Sequence, residues 1–432
     1  MVALSLPVLG SLIVEPLTGL VDTAFVARLG SQPLAALGVG TLMLSASFWA
    51  FSFFGITTQT EVGVLWGRQG QRGDELENAA RWSALAIALA ALAGVGLILV
   101  GWALIPAGVA AMGGQGQVAD LAVEYARLRL FGAPAVLITF AAFGALRGIQ
   151  KMHSPLVIAG AINALNVVLD YLLIFGYGPL EPMGVGGAAL ASTISQWIGA
   201  LWAVAATFRA LGHPRTIDWS RTPQIFRVGA DLFLRAALLN AFIILTTRTA
   251  TRIGAEAGAV HQVVRSTWMF TALFLDAFAL TGQSLVAYCT GAGKLADARR
   301  VAKVVCQWSF VTGAALGAGM LLLQPIVERI FIPPEAVVLF AGPWWISALS
   351  QPVNGLSFGT DGIHWGTGDF RYLRNAVFAA GVVASVALLL VDVDSPSALT
   401  LVWLTAVLWV STRAALGVVR IWPGIGAAPL KL

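Results

Sequence analysis

Between Val2 and Ala27 the chain carries no Lys or Arg, and the run VALSLPVLGSLIVEPLTGLVDTAFVA is long enough to cross a bilayer. Runs of this kind recur to the end of the chain, separated by short stretches of Gly, Pro or charge. In lipid, every backbone amide and carbonyl must be satisfied within the protein, which leaves helices and closed barrels. The runs are too long for barrel strands and lack dyad alternation, so an all-helical membrane protein is expected. Composition agrees: 58% of the 432 residues are hydrophobic and 11% are charged, against about 25% charged in a soluble domain. Spans of about 25 residues, roughly twelve of them, fill the length and leave no soluble domain.

The apolar pattern predicts helices over 2–28, 34–66, 79–104, 118–146, 155–177, 184–210, 224–252, 257–291, 298–323, 335–365, 372–392 and 397–422. The first run lacks a basic leader and a cleavage site, so it reads as a retained span and not a signal peptide. With no polar tail ahead of it, the natural start is expected a few residues upstream. The net charge of +5 marks orientation, not nucleic-acid binding. Loops after every second helix hold Arg68, Arg72, Lys151, Arg209, Arg215, Arg221, Lys294, Arg299, Arg300, Lys303, Arg371 and Arg374. The alternate loops hold Glu181, Glu256, Glu328, Glu335, Asp392 and Asp394 with few basic residues. The bias puts both termini in the cytoplasm. Arg127 and Arg129 break it near the outer end of the fourth span, where snorkelling or pairing with Glu124 is expected. Two cysteines, Cys289 and Cys306, make no disulfide scaffold.

The longest basic polar stretch, RALGHPRTIDWSRTPQIFR at 209–227, falls after six helices and divides the chain into lobes of 1–212 and 213–432. A repeat supports the division. Shifted by 224 residues (254 − 30 = 224), Arg28, Gly30, Ala35, Gln59, Val62 and Gly67 fall on Arg252, Gly254, Ala259, Gln283, Val286 and Gly291. An even number of spans per half makes this a parallel repeat of the kind transporters use. The same shift sets Thr246 opposite Asp22, so the acid of the first lobe has no duplicate in the second.

An Asp at the centre of a spanning helix costs roughly 2.5–3.5 kcal/mol on insertion scales, and such groups by default handle ions or protons. Asp22 is one. Asp170 is a second, with Asn166 four and Asn163 seven residues before it on the same helix face; the competing reading is a polar zipper between helices. Glu15 shares the face of Asp22, and Pro7 and Pro16 interrupt that helix, an arrangement suited to gating. In the second half, Asp231 and Arg235 are expected to pair across one turn, as are His261 and Arg265 to sit together. With Asp361 these read as structural glue, and Asp276 as a possible second coupling or substrate site. No phosphate-binding loop, metal-binding His motif or G-x-S-x-G is present, which leaves no sequence basis for an enzyme or an ATP-driven pump. Fifteen Trp and twenty-two Phe serve lipid contact and interfacial belts, with some available to line a cavity.

PLTGLVDTAFVARLGSQPLAALG, ALRGIQKMHSP, NALNVVLDYLLIFG and MGVGGAALASTIS, in this order, resemble the first and the fourth-to-sixth helices of multidrug and toxic compound extrusion (MATE) transporters. FLRAALLNAF and QPVNGLSFGTDGIHWGTGDFRYLRNA resemble the branch named after the DNA-damage-inducible protein DinF. The resemblance covers nearly the whole chain. It implies twelve helices in two pseudo-symmetric six-helix lobes, and export of organic, cationic or amphiphilic compounds in exchange for H⁺ or Na⁺. On that basis Asp22 matches the family's first-helix acid, Pro7 the proline whose bending accompanies protonation, and Asn166 and Asp170 the fifth-helix pair. Ser192 or Thr193 matches the sixth-helix hydroxyl. The chain departs from the family pattern at QKMHSP and in lacking the usual short leading tail.

The expectation is therefore a secondary active efflux transporter in the plasma or inner membrane. Coupling residues would be Asp22, Asp170, Asn166 and Glu15, and gating residues Pro7 and Pro16. Asn163, Gln59, Ser192, Thr193, Gln283 and Asp276 are candidates for substrate contact. No cofactor or metal is implied beyond the coupling ion. The partners are a small amphiphilic substrate and the bilayer, with no nucleic acid, and the chain is expected to act as a monomer. The alternative is a flippase for lipid-linked or other amphiphiles of the same superfamily. It requires an Arg-rich cavity, which the sparse intramembrane Arg disfavours; a scaffold or enzyme would need motifs that are absent.

Overall fold

The computed structural model describes residues 1–69 and 74–431, with the backbone but not the side chain of Glu15. Arg72 and the Glu15 side chain therefore lie outside the described residues. The chain is helical: α1 (Val2–Ala27), α2 (Ser31–Trp49), α3 (Phe53–Arg68), α4 (Glu75–Ala111), α5 (Gly116–Leu130), α6 (Ala133–Gly148), α7 (His153–Phe175), α8 (Gly184–Leu211), α9 (Thr222–Ile253), α10 (Ala255–Gly291), α11 (Leu295–Phe331), α12 (Val337–Gly366), α13 (Phe370–Leu389) and α14 (Ala398–Ile421). Among the described residues eleven segments are long and apolar enough to cross a membrane, and α5 and α6, bent by 46°, make up to a twelfth. Large apolar side chains such as Leu322, Leu389 and Val338 turn outward, as a lipid-facing surface permits.

Two predicted spans are broken. The run 34–66 is α2 and α3, separated at Ala50–Ser52, where Phe51, Phe53 and Phe54 stack on one another. The run 118–146 is α5 and α6, joined at Phe131–Gly132. That corner is held from α8, where Thr193 Oγ1 donates to the Leu128 carbonyl (3.2 Å) and Trp197 Nε1 to the Phe131 carbonyl (3.0 Å). Side-chain donors thus satisfy carbonyls that a bend takes out of the helix ladder. Gly176 and Gly212, at φ 77° and 84°, close α7 and α8 in the left-handed region open to glycine.

The chain divides into two compact units, one of Leu6–Gly229 and one of Ala230–Leu432 with Met1–Ser5. The basic segment after α8 stays with the first. Gln224 Nε2 donates to Glu61 Oε1 (3.0 Å), the Arg215 amide to Glu77 Oε1 (3.3 Å), and the Arg221 guanidinium lies over Trp82. Within it, the hydroxyl and amide of Ser220 hold the Asp218 carboxyl below the usual carboxylate range.

The repeat is visible in close helix crossings inside each unit. In the first, a Cβ on Gly144 would meet the Gly55 carbonyl oxygen at 2.3 Å, and one on Gly148 the Gln59 oxygen at 2.9 Å and Val62 at 3.0 Å. In the second, a Cβ on Gly362 would meet the Ala279 oxygen at 2.2 Å, and one on Gly366 the Gln283 oxygen at 2.7 Å and Val286 at 2.9 Å. Gly55, Gln59 and Val62 map onto Ala279, Gln283 and Val286 under the 224-residue shift. Both crossings depend on glycines one turn apart that let backbones touch. Gln59 and Gln283 are fully buried at these crossings. The second unit is filled by Val260, Val264, Phe340, Trp344 and Trp403, and Trp344 Nε1 is satisfied by the Met320 carbonyl (3.1 Å).

Candidate functional site

In the first unit α1 and α7 bring two acids together. Asp22 and Asp170 are 9% and 0% exposed, and their carboxyl groups stand within hydrogen-bonding reach of each other. Asn166, one turn before Asp170, completes the cluster. With its amide turned so that both ends are satisfied, Nδ2 donates to Asp22 Oδ1 (3.2 Å) and the oxygen accepts from the Ser192 amide (3.2 Å). The Ser192 hydroxyl is 3.4 Å from the same Asn166 group. Of the two hydroxyl candidates, Ser192 therefore faces Asn166, while Thr193 is engaged by the Leu128 carbonyl. Asn163 donates to the Ala159 carbonyl (2.8 Å). Pro7 and Pro16 lie inside a continuous α1.

Sequence reasoning missed the basic side of this site. Arg129 acts electrostatically on Asp22, is bonded to Gln196 Oε1 (2.8 Å) and lies over the Phe48 ring. Tyr125, bonded to Thr41 (3.2 Å), is within the field of both acids. A signal was present: Arg129 was one of two residues that broke the charge bias. Of the two alternatives for Arg127 and Arg129, pairing with Glu124 is not seen among the described residues; Arg127 lies over the Trp102 ring and Arg129 over Phe48. Two carboxyls this close cannot both hold full negative charge in a membrane interior. The arrangement can hold one proton between them, or a small cation against them.

The second unit holds a different cluster. Arg235 of α9 and Arg413 of α14 both bond Asp361 Oδ2 of α12, the latter at 2.7 Å. The guanidiniums lie over Trp365 and Trp409 respectively. Half-buried Asp276 of α10 is within electrostatic reach of all three charges. The predicted pair of Asp231 with Arg235 does not form: Asp231 bonds Arg374 of α13. Each charge faces a different neighbouring helix, and a cross-helix partner in a packed interior outcompetes a residue one turn away. His261 Nε2 meets Thr247 Oγ1 (3.2 Å) and Arg265 bonds Gln262 (2.7 Å), so these two do not join directly. Intramembrane arginine is also less sparse than the sequence reading held, since Arg235 and Arg413 are buried within α9 and α14. Arg235 and Arg413 share the single carboxylate of Asp361. Among the described residues no group of three or more His, Cys, Asp or Glu is placed to hold a metal ion.

A helical membrane protein built from a repeat, with paired acids buried inside one half, has an architecture that membrane transporters use. The comparisons with known proteins are specific. The MatE family model matches residues 7–172 and again 232–389, segments that start 225 residues apart, close to the internal shift. The chain is 30% identical to Protein DETOXIFICATION 44, chloroplastic, of Arabidopsis thaliana, covering 99% of this chain and 84% of that protein. It is 26% identical to DNA damage-inducible protein F of Escherichia coli, covering 97% and 90%. Solved structures of MATE in bent and straight conformations superpose with TM-scores of 0.82 and 0.84 at 21% and 20% identity, covering 96% of this chain and 92% and 93% of theirs. The chain belongs to the MatE family of multidrug and toxic compound extrusion transporters; it is a multi-pass membrane transporter and not an enzyme.

Proposed function

We propose that the chain is an antiporter that exports amphiphilic organic compounds in exchange for protons entering at Asp22 and Asp170. The observation that carries this reading is the approach of the two carboxyls, with Asn166 donating to Asp22. A proton held between two acids is bound more tightly than on either alone, and its loss leaves two charges that repel. A change of that size at a site alternately exposed to the two sides of the membrane gives the differential affinity that coupling requires. Arg129 and Ser192 tune the site. Glu15 on α1 is a further acid for the same path, and Pro7 and Pro16 supply the bending of α1. The positive-inside bias supports cytoplasmic termini in a plasma or inner membrane.

The test is Asp22→Asn in everted vesicles, with ethidium as the transported cation under imposed pH or sodium gradients. Wild-type protein is expected to couple ethidium uptake to the pH gradient, and the variant to lose that coupling. Unchanged coupled proton movement in the variant, or drive by sodium alone in the wild type, overturns the proposal. The flippase alternative gains little support from the buried arginines, since Arg235 and Arg413 are committed to Asp361.

A further inference from the structure

The start of α11, in the second unit, is crowded with positive charge: Lys294, Arg299, Arg300 and Lys303 stand there against Asp297 alone. Asp297 bonds Arg300 at 3.4 Å, a pair that stays in solvent. Lys303 is exposed and has no ion pair among the described residues. Cations at a helix N-terminus add to the positive end of the dipole and do not cancel it. This end of α11 therefore presents an unbalanced positive field.

Lys303 also heads a stripe. Gln307 and Val311 follow it at one-turn intervals, with Cys306 and Phe310 beside them on the same helix face. These five residues line a groove, and Leu356 of α12 and Trp422, just past the end of α14, complete it. Leu356 and Trp422 pack on the same core cluster as Cys306, so the groove has a firm floor. Arg299, one turn before Lys303, fixes Trp422 by donating to its carbonyl (2.9 Å). The groove has about 300 Å³ of space, the share of about ten waters in the liquid. Cys306, Phe310, Val311 and Leu356 offer water few hydrogen-bond partners, and a held water needs several. Phe310 and Val311 are exposed, so the groove opens on the lipid side. From Lys303 to Val311 it follows the helix for about 12 Å, close to the depth of one leaflet of a hydrocarbon core ~30 Å thick.

We infer that this groove binds an anionic phospholipid of the leaflet that the basic loops face. One acyl chain lies along the α11 stripe, and the phosphate lies against Lys303, Arg299 and Arg300. Basic residues at the head of an apolar groove between spanning helices suit an anionic head and its tail together. The lysine stem runs along the apolar wall while its ammonium reaches the headgroup level. A zwitterionic lipid fills the same groove but brings a cation to a positive site. A free phosphate ester has the charge and gains nothing from the groove. The inference rests on the membrane-transporter reading and the positive-inside bias, not on proton coupling.

Native mass spectrometry of the full chain, stripped of lipid in detergent, tests it with dioleoyl phosphatidylglycerol and dioleoyl phosphatidylcholine as probes. The phosphatidylglycerol is expected to bind at one preferred site, at least about tenfold tighter than the phosphatidylcholine. Lys303→Gln is expected to weaken phosphatidylglycerol about fivefold, the effect of one cation near a lipid surface, and Lys303→Arg to keep the preference. Val311→Trp fills the groove from its lipid-facing side and is expected to weaken both lipids about tenfold. Arg215→Gln, in the basic segment of the first unit, is expected to bind like wild type. So is Asp22→Asn, which separates this site from the coupling reading. An excess of glycerol phosphate is expected to displace no lipid. Equal affinity for the two lipids, wild-type phosphatidylglycerol binding in either Lys303→Gln or Val311→Trp, an equal loss in Arg215→Gln, or displacement by glycerol phosphate overturns the inference.

Discussion

Asp361 accepts from two guanidiniums at once, so the members of this trio are not equivalent. Asp361→Asn leaves Arg235 and Arg413 buried side by side with their shared counter-charge removed. Uncompensated buried charge costs about 3–5 kcal/mol. Arg413→Leu instead leaves Arg235 and Asp361 as a neutral pair, and costs less. Thermal unfolding of the purified protein, followed by tryptophan fluorescence, is expected to show the larger fall for Asp361→Asn. Equal falls would mean that Asp276, not Asp361, balances the arginines. Asp22 and Asp170 were legible in sequence because an acid in an apolar run stands out whatever surrounds it. The partners of Arg235 were not. Asp361 is 126 residues away, and the one-turn rule that pointed to Asp231 describes an isolated helix, not one packed among others.

Helix lengths and order follow from hydrophobic runs, but the breaks within runs do not. Ala50–Ser52 holds no glycine or proline, whereas the bend at Phe131–Gly132 is marked by Gly132 and by Pro134 in the first turn of α6, a mark masked by the apolar run around it. The glycine crossings are the opposite case, since paired glycines one turn apart are visible in sequence and their purpose is clear only in the packing. Gly144→Ala and Gly362→Ala each push a Cβ to within 2.3 Å and 2.2 Å of a backbone oxygen on the facing helix. Backbone cannot yield as a side-chain tip can, so each substitution is expected to cost about 1–3 kcal/mol. Gly160→Ala in α7 and Gly381→Ala in α13 meet nothing within 4 Å and are expected to be neutral or slightly stabilising through helix propensity. Parallel losses at Gly144 and Gly362, with no loss at Gly160 and Gly381, would establish that both units rest on the same crossing. A large loss at one crossing and none at the other would show that the repeat has diverged in what holds it together.

At the scale of the whole molecule the charge pattern makes a directional statement that a fold alone does not. Glu181 lies in the loop before α8 and Thr216 in the basic segment after it, both exposed, so a single spanning helix separates an acidic loop from a basic one. Lys and Arg near helix ends are retained on the cytoplasmic side, and acids have little say. Arg209, Arg215 and Arg221 are therefore expected to hold Thr216 inside, with Glu181 outside. Cysteine scanning reads this directly once the native Cys289 and Cys306 are replaced by alanine. An impermeant maleimide added to intact bacteria is expected to label Glu181→Cys at once and Thr216→Cys only after the membrane is opened. The reverse pattern would invert every span. Export driven by an inward proton gradient needs the site to load protons from outside and release them inside. In an exchanger the gradients and the stoichiometry set the direction of net transport, so an inverted chain would still export under the same gradient, and the labelling result fixes which loops face the cytoplasm.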